Sequence, residues 1–332
     1  MNELKTSPHP TSSTVIVTGA GGFLGSHLCE RFLQQNYCVI GIDNFCTGLR
    51  SNKTDLEQKY PQNLIFLESD ITLGFAPIKN QIPADWLKNL KFIFHFASPA
   101  SPPHYQKLGL ETLWVNTMGL SHCLSFADQN NARVVFASTS EVYGDPAISP
   151  QPETYWGNVN SFGERSCYDE AKRFGEALIF THNKKHQTKH GLVRIFNTYG
   201  PRMNPNDGRV VINFILQALK NQDITIYGDG KQTRSFCYVD DLIRGIQLYA
   251  ESMQTTPINL GNDKEFNMLE LAQMVLEQLQ TTSRIIYQPL PADDPKQRRP
   301  DLTLARKHLG YQPSIPLKDG VIKTAQWLKE IQ

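Results

Sequence analysis

The chain of 332 residues carries 33 lysines and arginines against 32 aspartates and glutamates, a net charge of +1 that gives neither a nucleic acid nor an anionic membrane an electrostatic hold. With 40% hydrophobic and 20% charged residues it has the apolar content to fold, which excludes intrinsic disorder, and the length to bury one large core or two ordinary ones. Six scattered cysteines (Cys29, Cys38, Cys46, Cys123, Cys167 and Cys237) form no CxxC pair, which excludes a disulfide scaffold and fits a reducing cytoplasm.

Residues 1–13 are polar, contain proline and lack the apolar segment of a signal peptide, so they read as a disordered leader. No later run is long enough to span a bilayer. The runs Thr14–Thr18, Val39–Ile42, Leu64–Leu67, Phe92–Phe96 and Arg133–Ala137 predict buried strands separated by helical patterns, and Leu192–Phe196 predicts a further one. Strands alternating with helices pair in parallel through right-handed crossovers, so residues 14–200 are expected to form a doubly wound parallel sheet of the Rossmann type. From Gly200 the texture changes. A loop-forming PRMNPNDG is followed by short runs at Ile224–Tyr227, Ile258–Leu260 and Ile285–Tyr287 and a helical pattern over Met268–Gln280. These predict a smaller α/β lobe over 201–332, built on the first domain and able to return segments to it. The proline-rich PLPADDPKQRRPD reads as a functional loop.

Directly after the first strand, TGAGGFLG places Gly19, Gly22 and Gly25 where a helix opens. Glycine permits the tight turn and close backbone approach to a pyrophosphate, and the helix offers free N–H groups and its positive dipole end. The spacing differs from GxGxxG, and a plain strand-to-helix turn is the alternative. Asp43 ends the second strand eighteen residues after Gly25, where a carboxylate accepts from adenosine ribose hydroxyls and repels a 2′-phosphate. That pattern points to NAD rather than NADP, the alternative for Asp43 being a helix or turn cap. Asp70, after the third strand, is placed to meet the adenine or equally to hold a turn. Tyr168 and Lys172 stand four residues apart in CYDEAKRFGEAL, on one helical face, and suit acid/base work on an alcohol if the ammonium and a bound nicotinamide pull the phenol toward phenolate.

The strings TGAGGFLGSHL, DNFCTG, HFASPASPPHY, ASTSEVYGDP, YWGNVN, CYDEAKR, RIFNTYGPRMNPNDGRVV, YGDGKQTRSFCYV and DDPKQRRPDL occur in one order over almost the whole chain. Together they resemble the extended short-chain dehydrogenase/reductase family, in its UDP-glucuronate decarboxylase (UDP-xylose synthase) branch. The resemblance implies NAD-dependent oxidation of the sugar 4-hydroxyl, loss of CO₂ from the 4-keto acid and re-reduction to UDP-xylose, with the NAD recycled. The related alternatives are a UDP-glucuronate 4-epimerase, an oxidative decarboxylase that releases the keto sugar, and a catalytically idle nucleotide-sugar sensor. Carried over by position, it makes Tyr168 the base, Lys172 its partner and a ribose contact, and Thr139 a second hydroxyl on the substrate oxygen, with Ser140 and Glu141 facing the sugar. Related dehydratases carry an Asp-Glu pair at those two places, so Ser140 argues for the decarboxylase branch. Around NAD it implies Phe23, Leu24, Asn44, Thr47, Gly48, Ile71, Ser98, Thr198 and Arg209 beside the glycines, Asp43 and Asp70. On the substrate side it implies Tyr105, Asn197 and Arg234, the last two at the diphosphate. Arg298 falls beside the sugar as an orienting charge or holder of water, because a guanidinium is a poor proton donor.

Two departures stand out: Trp114 occupies a usual lysine position, putting one substrate contact in doubt, and IPADWLKNLKFIF is longer than the usual connection, as a surface insertion would be. His182, His186 and His190 recur every four residues but lie among Lys184, Lys185 and Lys189, which repel a cation, so no metal site is expected. A homodimer is expected through the helices around Glu111–Gln129 and Ser166–His186; the Leu113, Leu120, Leu124 stripe fits either that interface or the monomer core.

Overall fold

A computed structural model describes residues 12–289 and 297–331. Most of the expected leader, and the 290–296 part of the proline-rich loop, lie outside the described residues. The strands β1 (Thr14–Thr18), β2 (Cys38–Asp43), β3 (Leu64–Glu68), β4 (Leu90–His95), β5 (Arg133–Thr139) and β6 (Gly191–Ile195) follow the predicted runs to within two residues at each end. With the Ile258–Leu260 strand they form one parallel sheet whose order, starting from that strand, is β6-β5-β4-β1-β2-β3. The doubly wound architecture is therefore present, and a late segment does return to the first sheet.

Burial explains why these segments are strands. β1, β2 and β5 are buried at every position, as a parallel sheet covered by helices on both faces requires. Successive side chains point to opposite faces, so Val15 and Val17 join one core while Ile16 joins the other. The first core extends into the second half of the chain, taking in Ile224, Ile226, Leu271 and Val275. The second core contains Leu120 and Leu124, each at most 1% exposed, so packing within the monomer accounts for those two members of the expected stripe. It also contains Ile82 and Trp86, which pin the long connection before β4 to the body of the protein. Among the described residues no helix is long and apolar enough to cross a membrane.

The later half builds small sheets that aim side chains at the larger one. Ile224–Tyr227 pairs in parallel with Ile285–Gln288, and Thr233–Ser235 lies between Glu265–Asn267 and Gln297–Arg298. That last pairing sets Arg234 and Arg298 opposite each other in register. The predicted helix begins at Met268 because Asn267 and Glu270 form a reciprocal capping box.

The order of the sheet reverses between β1 and β4, opening a crevice beyond the carboxyl ends of the strands. The Ser166–His186 helix flanks it, held close to β5 at Gly175, where an added Cβ would come within 2.5 Å of the Phe136 ring. Phe136 is fully buried and has no room to yield. Gly175→Ala is expected to lower stability by up to about 2 kcal/mol, because overpacking at ~1–3 kcal/mol is set against a helix propensity gain of ~1 kcal/mol. Urea unfolding checks this, and an unchanged or higher midpoint would contradict the close packing.

Candidate active site

The crevice is a cavity of about 920 Å³ running from the glycine loop to the arginines of the second half. At the first end, the Phe23–Leu33 helix starts at Gly22 with no side-chain cap and no acidic residue in its first turn. Phe23, Leu24 and Gly25 at this helix start line the cavity and no side chain caps their N–H groups, which suits a phosphate. Gly19 has φ +76°, and a Cβ on Gly25 would lie 2.0 Å from the Gly19 carbonyl, so the turn closes only with glycine at both places.

Asp43 lies behind this loop. Its Oδ2 accepts from Gly21 N–H at 2.8 Å and its Oδ1 from Phe45 N–H at 2.7 Å. Burial raises its pKa while those amides oppose the rise. Each oxygen keeps a lone pair for a further donor. Gly48 packs against the same carboxylate, and a Cβ there would stand 3.0 Å from Oδ1. Asp70 caps the short Ile71–Leu73 helical turn through Thr72 and takes a 3.2 Å hydrogen bond from Asn44. Asp43, Asn44, Gly48, Asp70 and Ile71 thus cluster at the ends of β2 and β3, beside the cavity wall rather than in it, whereas Phe23, Leu24, Thr47, Ser98, Thr198 and Arg209 line it.

In the middle of the cavity β5 ends at Thr139, whose hydroxyl caps the Ser140–Tyr143 turn and hydrogen-bonds the Tyr168 phenol. Burial pushes that phenol well above its ordinary range; the Thr139 hydrogen bond and the Arg209 charge pull it back, and Glu141 and Asp169 add to the rise. Arg209 is held by Asp207, with one contact at 2.8 Å. Lys172 behaves differently from the sequence expectation. Its Nζ donates to Ala137 O at 2.7 Å and sits 5.5 Å from the Tyr168 ring centroid, and burial drives its pKa down to about 7. Arg209 is thus the cation that pulls on the phenol, while burial makes the charged form of Lys172 easier to lose than that of an exposed lysine. Tyr105 stacks on Tyr168 with centroids 5.0 Å apart, and its buried hydroxyl has no hydrogen-bond partner among the described residues.

At the far end Glu141 is clamped by two guanidinium groups. Arg298 takes both carboxylate oxygens, through Nη1 and, at 2.7 Å, Nη2, and also reaches Ser140 Oγ at 3.2 Å. Arg165 pairs with Glu141 Oε2. Burial alone would raise the glutamate pKa, but the two arginines outweigh it and bring it to about 2. Glu141 is therefore an anion at neutral pH with no proton of its own to give. Nearby Asp169 has the opposite fate: burial first, then Glu141, lift it to about 7 against Arg165 and Arg298.

The structure brings Thr139, Ser140, Glu141, Tyr168, Lys172, Arg298, Tyr105, Asn197 and Arg234 to one cavity. Trp114 is absent from its lining and half exposed, so the lysine departure falls away from the wall. Sequence reasoning missed Arg165 and Asp169. Both lie in GERSCYDEAK around Tyr168, but nothing in that string shows that Arg165 turns toward a residue 24 positions earlier.

A model of the NAD dependent epimerase/dehydratase family matches residues 15–261, from within β1 to just past the Ile258–Leu260 strand. The chain belongs to that family. Over 92% of its length it is 44% identical to UDP-glucuronic acid decarboxylase 1 of Arabidopsis thaliana, of which it spans 68%. Over 94% of its length it is 42% identical to UDP-glucuronic acid decarboxylase 1 of Danio rerio, of which it spans 72%. The structure of UDP-glucuronic acid 4-epimerase from Bacillus cereus, in complex with UDP-glucuronic acid and NAD, superposes with a TM-score of 0.84 at 27% identity, over 96% of this chain and 100% of that one. NAD is the cofactor of this family, and the uncapped helix start with its Cβ-free turn fits the pyrophosphate of that group.

Two of the three spaced histidines meet elsewhere, at the ends of secondary-structure elements. His182 and His190 both bond Asp128, at 2.8 and 3.0 Å, and the His186 ring lies 4.6 Å from that of His182, tilted by 41°. Val134 N–H donates to His190 Nδ1 at 3.0 Å, which leaves the ring proton on Nε2, facing Asp128. A metal ion would need the lone pair that this proton occupies, so the trio acts as a hydrogen-bonded tie between the Leu120–Gln129 helix, the Ser166–His186 helix and the approach to β6.

The raised carboxyl of Asp169 has a consequence for stability. Its folded pKa of about 7 exceeds the unfolded value of 3.8, so its contribution is present in full below about pH 4 and is lost as pH rises through about 7. The stability of wild type relative to Asp169→Asn should therefore fall between pH 4.5 and 7.5, measured by urea midpoints; a difference that stays flat would contradict the raised value.

Proposed function

We propose that the protein is a UDP-glucuronate decarboxylase that forms UDP-xylose. The observation that carries this reading is the convergence of Thr139, Tyr168 and Lys172 with the Ser140–Glu141–Arg298 group in a cavity that begins at the glycine loop. When bound, NAD supplies the hydride acceptor for oxidation at carbon 4 and the donor for the final reduction. Tyr168 takes the proton of the 4-hydroxyl and returns it at the end, with Thr139 on the same oxygen. Oxidation leaves the sugar carboxylate β to a carbonyl, so CO₂ departs with its electrons delocalised onto the 4-oxygen, where the Tyr168 and Thr139 hydroxyls stabilise the enolate. One proton must then reach carbon 5. Because Glu141 is held ionised, a water positioned by Glu141 and Arg298 fits this step better than direct donation by the carboxyl. Asp43 favours NAD over NADP, since its buried carboxylate would meet the 2′-phosphate.

The same reading places the protein in the cytoplasm, supported by six cysteines that are all unpaired. It also makes the protein a homodimer. Leu110, Trp114 and Met118 recur every four residues along one side of the Gly109–Gln129 rod, and all are at least 48% exposed. Phe174 and Phe180 stand exposed on the neighbouring Ser166–His186 helix. An apolar face of this kind calls for a partner, and a symmetric pairing of these helices would cover it. Sedimentation at micromolar concentration should give a dimer; a monomer would refute this part.

Incubation with UDP-glucuronate and NAD, followed by mass and sugar identification, should yield UDP-xylose and CO₂ without net NADH. A 4-epimer or a released keto sugar as the main product would overturn the assignment. Tyr168→Phe should lower turnover by about 10² or more while NAD still binds. Near-wild-type turnover would remove Tyr168 from its role.

A further inference from the structure

The clamp on Glu141 holds more positive charge than one carboxylate uses. Arg298 meets both Glu141 oxygens in a fork, is also bonded to Ser140 and Gly144, and has a side chain only 4% exposed. That pairing is complete by itself, since a guanidinium fork saturates the face of a carboxylate. Arg165 is held more loosely. A single Nη2 reaches Glu141, its Nε lies 3.8 Å from Asp169, beyond hydrogen-bond range, and its side chain is 24% exposed where the chain enters the Ser166–His186 helix. It nonetheless lines the same cavity as Thr139 and Tyr168.

Its position relative to the chemistry is specific. The guanidinium carbon lies 5.9 Å from the Tyr105 ring, and that ring stacks on Tyr168 with planes 8° apart. Arg165 is thus one aromatic ring away from the phenol that must touch oxygen 4. In a sugar acid the carboxylate sits on carbon 5, one bond from the carbon that carries that oxygen.

We propose that Arg165 is a specificity-determining residue that leaves Glu141 and pairs with the carboxylate of a nucleotide-bound sugar acid when it enters the cavity. The inference rests on the decarboxylase reading and adds to it the group that tells a sugar acid from a neutral sugar. Arg298 keeps Glu141 in place throughout, so the exchange replaces one carboxylate partner of Arg165 by another and leaves no buried charge unpaired. The carboxylate is lost in the reaction, so an interaction with it belongs to the ground state and strengthens binding more than turnover.

The test compares wild type, Arg165→Gln and Arg165→Lys as NAD-loaded enzymes, with UDP-glucuronate as substrate and UDP-glucose as a competitive inhibitor that lacks the carboxylate. In Arg165→Gln, KM for UDP-glucuronate should rise ~10-fold or more, kcat should change less than about threefold, and UDP-glucose inhibition should change less than about threefold. Arg165→Lys, which keeps the charge without the fork, should fall between the two and guards against a glutamine variant that folds poorly. Equal weakening toward both nucleotides, or an unchanged KM for UDP-glucuronate, would overturn the proposal. A loss of kcat with KM unchanged would also overturn it, since it would place Arg165 in the chemical step. If wild type turns over no UDP-glucuronate, the decarboxylase reading itself fails and the inference with it.

Discussion

A carboxylate withdrawn from water has to be met by opposite charge, and the site is organised around that requirement at Glu141. The residue sits in the Ser140–Tyr143 turn directly after β5, the strand that ends in Thr139, while its partner Arg298 arrives from a strand 157 residues later. The pair thereby joins the end of the large parallel sheet to the small sheets of the second half across the cavity. Ion pairs of this kind add little net stability, because desolvation offsets the attraction, but removing one member leaves an uncompensated charge at a cost of about 3–5 kcal/mol. The pair is better understood as fixing geometry: with both oxygens of Glu141 occupied, the carboxylate has one orientation and one protonation state.

The same economy of charge runs through the rest of the crevice. The helix that follows the glycine loop starts without a side-chain cap or an acid in its first turn, whereas Asp43 behind the loop is tethered by two backbone amides. Around Tyr168 the cation nearest in effect is Arg209, and Lys172 spends its hydrogen bond on Ala137. Burial therefore works against ionising the phenol in the protein alone. A positively charged nicotinamide would add the favourable field that the side chains do not supply, so proton transfer would be coupled to an occupied cofactor site.

Much of this was legible in the sequence because the relevant signals are local. The glycines of the phosphate turn, the strand at Thr14–Thr18 and the four-residue spacing of Tyr168 and Lys172 all act over one or two turns of chain, where propensity and sterics decide the outcome. What escaped was set by distance in space. The Leu113, Leu120, Leu124 stripe fits either an interface or the core, and only the packing of the sheet shows that Leu120 and Leu124 lie inside while Leu110, Trp114 and Met118 stand outside. Arg165 and Asp169 flank Tyr168 in sequence, yet their surroundings are set by Glu141 and Arg298, which come from two other elements. The histidine spacing suggested one helical face, whereas the helix ends at His186 and the amide of Val134 decides which nitrogen of His190 carries the proton.

The direction of the strands also separates two kinds of freedom. Every strand of the main sheet points its carboxyl end at the crevice, so segments that lead into strands gather at the opposite edge. The long connection before β4 ends there, and the buried indole of Trp86 anchors it to the body of the protein. That connection contributes no residue to the lining of the cavity. It is the natural attachment point for a label or a fused domain, and a place where descendants of this chain can diverge in size while keeping the same chemistry.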